Sequence, residues 1–210
     1  MKNETRLLQL NEAKWDRWAS SMNDKSRRND FLRQAQSEVV AMLDIQENLH
    51  FLDVGCGAGQ AVGDVARLAR DKGLFYGVDL SSKMIEKAQE NYRGEDHVRF
   101  LQANVESIPL DDDFFDIIIC TNSFHHYPSP DKALREMSRL LKKGGKLYIL
   151  DPTADARITK FADWIIRMVE PEHVRIYSTR EFQALYRQAG LKYVSSQMAN
   201  WHQGIHVGEK

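Results

Sequence analysis

Apolar positions along the chain follow two rhythms, and the change between them falls near residue 50. Up to residue 47 the spacing is helical. Trp15 and Trp18 stand three apart, and Phe31, Ala35, Val39 and Met42, with Leu32 and Leu43 beside them, make one apolar face of a second helix. From His50 short apolar runs alternate with helical stripes. The run HFLDV (His50–Val54) is ended by glycines, as suits a strand buried on both faces. Val62, Val65, Ala66 and Ala69 then give a helical stripe, and Leu74–Val78 is a second strand that stops at Asp79. Ser81 is placed to cap a helix whose inner face is Met84, Ile85 and Ala88. Val98–Leu101 is a third strand, and Phe114–Cys120, the most β-branched run, is a central fourth. Pro130 suits the first turn of a helix capped by Ser129, with Ala133, Leu134, Met137, Leu140 and Leu141 inward. Gly144-Gly145 is expected to stop that helix before a strand over Lys146–Leu150.

This alternation implies a parallel sheet with right-handed crossovers. The end of the chain breaks the pattern. Helices are expected over 154–169 and 179–189, the second capped by Ser178 or Thr179. Tyr193–Met198 and Gly204–Val207 follow with too short a link for a crossover, so they must pair antiparallel. The expected organisation is a helical cap over 1–47 and one α/β unit over 48–210, with a small helical insertion at about 153–175.

Composition narrows the partners. The chain of 210 residues is long enough for one substantial core. Lys and Arg total 29 against 30 Asp and Glu, so the basic excess of a nucleic-acid binder is missing. Cys56 and Cys120 sit in glycine-loop and strand contexts and read as small buried thiols, not a disulfide framework. No run approaches the roughly 20 apolar residues that span a bilayer, and the charged start is unlike a signal peptide. These features predict a soluble cytoplasmic protein, monomer or homodimer, with no membrane or nucleic-acid partner. Asp111-Asp112-Asp113 is expected to be a solvated turn before the fourth strand.

Ligands of open α/β sheets bind beyond the carboxyl ends of the strands, where strand order reverses. The first strand here runs into Asp53-Val54-Gly55-Cys56-Gly57-Ala58-Gly59, where glycines permit a sharp turn and close approach of backbone to a ligand. The helix that follows presents unpaired N–H groups suited to a carboxylate. Asp79, at the end of the second strand, can accept from both hydroxyls of a ribose. Asn104, after the third, can read an adenine edge, or simply form a turn. Thr121 and Asn122 end the fourth strand and face the same crevice.

With these residues in place, the stretch 50–151 resembles the class I S-adenosylmethionine-dependent methyltransferases, especially their small-molecule group. DVGCGAG resembles the first motif of that family, whereas the GxGxxG of dinucleotide oxidoreductases wants glycine at Gln60. VDLSSKMIEKAQ resembles the ribose-binding strand end and its helix, and the stretch from Phe100 to Pro152 follows the family almost continuously. One position departs: the family generally has Asp where Asn104 stands. The resemblance implies a doubly wound, mostly parallel seven-stranded sheet with an antiparallel last strand. It also implies S-adenosylmethionine as cofactor, S-adenosylhomocysteine as its product, and a small-molecule methyl acceptor. It places cofactor contacts at Asp53, Gly55, Cys56, Gly57, Gly59, Asp79, Leu80, Met84, Asn104, Val105 and Thr121.

The acceptor side is less defined. His125 and His126, after the fourth strand, are the candidate catalytic residues, as a base or as a hydrogen-bonding partner of an acceptor hydroxyl. Trp15, Trp18, His126 and Trp164, together with Phe161, Ile165 and Met168, are candidates to roof an acceptor pocket. The histidine pair has no spaced Cys or His partner in sequence, so no metal site is expected, and His173 and His202 stand isolated. Two other functions share the fold: an NAD(P)-dependent oxidoreductase, disfavoured by the loop spacing, and a non-catalytic S-adenosylmethionine-binding protein.

Overall fold

Side chains alternate along each strand and so sort the core into two layers. In β1 (Leu49–Val54) Phe51 enters one layer while Leu52 and Val54 enter the other; in β4 (Phe115–Thr121) Ile117 and Ile119 oppose Ile118 and Cys120. Both faces are therefore apolar, as a parallel sheet between helices requires. The computed structural model describes residues 2–21, 27–155 and 173–210. The remaining strands are β2 (Gly73–Asp79), β3 (Val98–Gln102), β5 (Leu141–Pro152), β6 (Lys192–Met198) and β7 (Gln203–Glu209). They form a seven-stranded sheet in the order β3-β2-β1-β4-β5-β7-β6. β1 to β5 are parallel, and β7 runs antiparallel to both β5 and β6. The expected terminal antiparallel pair is present, with β7 inserted so that β6 becomes the edge. Strand order reverses between β1 and β4, which opens a crevice at their carboxyl ends.

Helices α2 (Arg27–Met42), α3 (Gln60–Leu68) and α4 (Ser82–Asn91) contribute to one layer. On the other lie α5 (Pro130–Leu140) and the last helix, α6 (Thr179–Gln188). Leu134, Met137 and Leu140 of α5 are fully buried, each contributing about 1.5–3 kcal/mol. In α2 Ala35 and Val39 are buried as expected, as is Leu43 just beyond it; Leu32 and Met42 are half-buried, and the Phe31 side chain lies outside the described residues. Helix α1 (Lys2–Ser21) packs on α4. Among the described residues no helix is long and apolar enough to cross a membrane.

Local chemistry follows the sequence at two helix starts and departs at a third and at one helix end. Ser81 caps α4, its Oγ accepting from the Met84 N–H at 3.2 Å. Ser178, not Thr179, caps α6, in a reciprocal box with Glu181. Ser129 occupies the cap position of α5 but makes no capping bond; its hydroxyl donates instead to Glu4 at 3.1 Å, tying α1 down. Helix α5 ends at Leu140, before the expected stop, because the Asp113 and Phe114 N–H groups take the carbonyls of Arg139 and Leu140 at 3.0 and 2.9 Å. Leu141 is accordingly extended and opens β5. Gly144-Gly145 then lies inside that strand, where the register with β4 slips between Leu141 and Lys146. In the acidic turn, Asp112 and Asp113 pair with Arg139 and Lys210. The expected helix over 154–169, and with it Phe161, Trp164, Ile165 and Met168, falls almost wholly outside the described residues.

Candidate functional site

At the reversal point lies a cavity of about 370 Å³, walled by the ends of β1, β2, β3 and β4 and roofed by α1 and α2. That volume is within the range of small-molecule sites, roughly 300–1,000 Å³. From the expected set its lining includes Gly55, Asp79, Leu80, Asn104, Val105, Thr121, Trp15, Trp18 and His126. Asp53, Cys56, Gly57, Gly59, Met84 and His125 are not part of that lining, and Trp164 lies outside the described residues. The cavity also gains Asn11, Leu32, Arg33, Gln36, Gln60 and Tyr127, none of which the sequence places in the site.

The loop after β1 is built around the end of β2. Gly55 and Cys56 both donate their N–H to the Val78 carbonyl, at 2.8 and 3.0 Å. Gly57 N–H donates to Oδ2 of Asp79 and Ser81 N–H to Oδ1, each at 2.9 Å. Two backbone donors thus fix the carboxylate in one orientation, and each oxygen keeps a lone pair for a ligand. Burial raises the Asp79 carboxyl above the ordinary range, while those same N–H groups oppose the shift. Gly57 and Gly59 give the loop its left-handed turns, and Met84 is buried in α4.

Asp53 is wholly buried, and neither of its oxygens has a hydrogen-bond partner among the described residues. Burial, reinforced by the nearby Asp79 charge, pushes its pKa up to about 8. An unfolded aspartate titrates near about 3.9. Between about pH 4 and pH 8 the folded chain thus holds a proton that the unfolded chain has released, so stability from this group is complete below about pH 4 and lost as pH rises through about 8. Asp53→Asn removes that titration. The variant is expected to gain on the parent in melting temperature as pH rises from about 5 to about 8; a constant difference across that window would mean Asp53 is already ionised in the fold.

Asn104 forms a turn and also lines the cavity. Its Oδ1 accepts from the Glu106 N–H at 3.0 Å, a turn-forming bond. What it offers a ligand is its amide N–H₂ and the second lone pair of that oxygen. Thr121 is held by α2, since Gln36 Nε2 donates to its Oγ1 at 3.0 Å.

The roof is strapped to the strand ends by side chains of α1. Asn11 Nδ2 donates to the His126 carbonyl at 3.0 Å, and the Ser81 hydroxyl donates to Asp16. Asn11 lines the cavity and is buried, and its Oδ1 has no hydrogen-bond partner among the described residues. Trp15 meets Trp18 edge-on at 5.5 Å and the His126 ring at 5.4 Å. His125 is set back, its Nδ1 hydrogen-bonded to Oδ1 of Asp151 at 2.9 Å. Asp151 is fully buried, and burial holds its carboxyl well above the ordinary range. The His125 carbonyl accepts from the N–H groups of Val174 and Arg175 at 3.0 and 3.2 Å, which brings His173 beside the pair. Sequence separation hides this third imidazole, 47 residues from His126. Cys56 and Cys120 are buried free thiols, as expected.

Residues 52–149 match the methyltransferase domain family. Among curated proteins, the uncharacterized methyltransferase YcgJ of Bacillus subtilis is 35% identical over 153 residues, covering 71% of this chain and 59% of that one. The ubiquinone/menaquinone biosynthesis C-methyltransferase UbiE of Pectobacterium atrosepticum is 32% identical over 110 residues, covering 51% of this chain and 44% of the relative. The chain thus spans less than two thirds of the length of these curated relatives. The crystal structure of YcgJ superposes with a TM-score of 0.68 at 30% identity, over 79% of this chain and 72% of that one. A methyltransferase from Aquifex aeolicus matches in fold with a TM-score of 0.72 at 23% identity, over 93% and 98% of the two chains. With the glycine loop, the fixed carboxylate at the end of β2 and the inserted β7 all in place, the chain belongs to the class I S-adenosylmethionine-dependent methyltransferases.

Proposed function

We propose that the chain transfers a methyl group from S-adenosylmethionine to a small organic acceptor held under the α1–α2 roof, by in-line displacement. One observation carries this reading: Gly55, Asp79, Asn104-Val105 and Thr121, from four strand ends, line one cavity together with Trp15, Trp18 and His126. The residues fit the cofactor. Asp79, oriented by two backbone donors, suits a pair of ribose hydroxyls. Asn104 and Val105 suit the polar edge of adenine, and a ligand ammonium near buried Asp53, whose oxygens have no hydrogen-bond partner among the described residues, would favour its ionised form. When bound, the cofactor supplies an activated methyl group on a sulfonium.

The work left to the chain is alignment and exclusion of water, and alignment is worth up to about 7–11 kcal/mol. Trp15 and Trp18 close the cavity on the acceptor side. Asn11 Oδ1, buried and partnerless, is a ready acceptor for an acceptor-borne O–H or N–H. His126 presents its ring in the wall, and His125, held by Asp151, backs it. Titration calorimetry with S-adenosylhomocysteine, followed by incubation with radiolabelled cofactor and a small-metabolite extract, tests the reading. Micromolar-range binding and label in a small molecule are expected. Binding of NAD(H) with neither adenosyl ligand would overturn it, and cofactor binding with no transfer across extracts would favour a regulatory binder.

A further inference from the structure

We propose that His125, His126 and His173 form a binding site for a divalent late first-row transition-metal ion at the edge of the cavity. One ring nitrogen from each of the three can be chosen so that all lie within 4.8 Å of one another. The ring centroids are 4.0 Å apart for His125 and His126, 5.4 Å for His125 and His173, and 6.2 Å for His126 and His173. A tetrahedral ion with nitrogen ligands at about 2.0–2.1 Å needs its ligands about 3.4 Å apart, so small ring rotations bring the set into range. Three imidazoles on two chain segments are brought together by backbone, not by chance packing. The 3₁₀ turn Phe124–His126 carries two, and the Val174 and Arg175 N–H groups, both bonded to the His125 carbonyl, deliver the third.

A second feature points the same way. Nδ1 of His125 is hydrogen-bonded to the carboxylate of Asp151, so ligation would fall to Nε2. A carboxylate behind a ligating imidazole fixes its tautomer and raises its basicity, the usual support of a histidine metal ligand. Asp151 is fully buried, and its Oδ2 has no hydrogen-bond partner among the described residues, so a cation on the far side of His125 would balance its charge. The donor set excludes magnesium and calcium, which take oxygen ligands. Imidazoles favour zinc, cobalt, nickel, copper or iron. Three protein ligands leave a coordination position open, as in catalytic rather than structural sites. His126 lines the cavity, so that position faces an acceptor and suits one with an oxygen or sulfur donor. On this arrangement the histidines act on the acceptor through the ion instead of as bases.

The test is cobalt(II) titration of chelator-treated protein, followed by visible d–d absorption. The parent chain is expected to bind one equivalent in the micromolar range with the bands of a low-coordinate nitrogen site. His173→Ala and His126→Ala are each expected to abolish those bands, and Asp151→Asn to weaken binding about 10–100-fold. His97→Gln, at the distant β3 end, is expected to leave them unchanged. No stoichiometric binding by the parent, or equal binding by His173→Ala, overturns the proposal. The readout needs no methyl transfer, so metal binding without cofactor binding, and the reverse, separate this proposal from the methyltransferase reading.

Discussion

Replacing Asp79 with alanine is expected to weaken S-adenosylhomocysteine binding by about 10²–10⁴-fold. Among the described residues Asp79 is the one carboxylate in the cavity lining, and on the proposed reading it accepts from two hydroxyls at once. Hydrogen bonds to a charged acceptor contribute about 1.5–3 kcal/mol each, so losing two costs about 3–6 kcal/mol. Part of the effect is indirect. Asp79 also accepts from Gly57 and Ser81, and without it the Gly57 N–H loses the partner that holds the loop against β2. Asp79→Asn, which keeps one acceptor oxygen and the shape of the side chain, should fall between the two. Calorimetry on all three proteins, with the unliganded melting temperature of each recorded, separates binding from folding. Unchanged affinity in Asp79→Ala would put the ribose somewhere other than the end of β2.

That this residue can be picked from the sequence has a physical reason, as has the failure to pick others. A strand that stops at a polar side chain is a local event, visible where Leu74–Val78 ends in Asp79 and where Val98–Leu101 leads to Asn104. The sheet is likewise legible because residues on its strands alternate between two apolar layers. Contacts made by helices across the fold are not local. The spacing of Trp15 and Trp18 says that a helix has an apolar face, and nothing about what it covers. The roofing role of Asn11, Leu32, Arg33 and Gln36 follows only once α1 and α2 lie over the strand ends. His173 joins His125 through backbone N–H groups, which no side-chain pattern announces. The end of α5 escapes the sequence for a related reason: its last carbonyls are taken by Asp113 and Phe114 from a different segment, and this outweighs the glycines further on. Asp53 shows the opposite limit. Its place in the motif is plain, but only burial reveals that it stands behind the cavity wall with no partner among the described residues.

The glycines of the loop differ in what they tolerate, and Gly55→Ala is expected to be far more damaging than Gly57→Ala. Gly55 has φ +79°, and a methyl there would meet Ser123, its Cβ at 2.7 Å and its hydroxyl closer still. The left-handed backbone costs an alanine about 1–2 kcal/mol. Overpacking against a strand-end residue adds about 1–3 kcal/mol. The sum, about 2–5 kcal/mol, corresponds to a fall in melting temperature of roughly 4–20 °C in a chain of this size. Gly57→Ala is the internal comparison: its φ of +53° carries the backbone term, but nothing lies within 4 Å of the added carbon, so about 1–2 kcal/mol is expected. Ser123→Gly in the Gly55→Ala background removes the overlap and leaves the backbone term. The double variant should therefore be more stable than the sum of the two single losses by about 1–3 kcal/mol. Strict additivity would mean that the loop moves away from Ser123 without resistance. If it resists, the consequence reaches the ligand, because the loop displaced by the added methyl is the one whose Gly57 N–H orients Asp79. Affinity for S-adenosylhomocysteine should then fall with stability in Gly55→Ala and recover in the double variant.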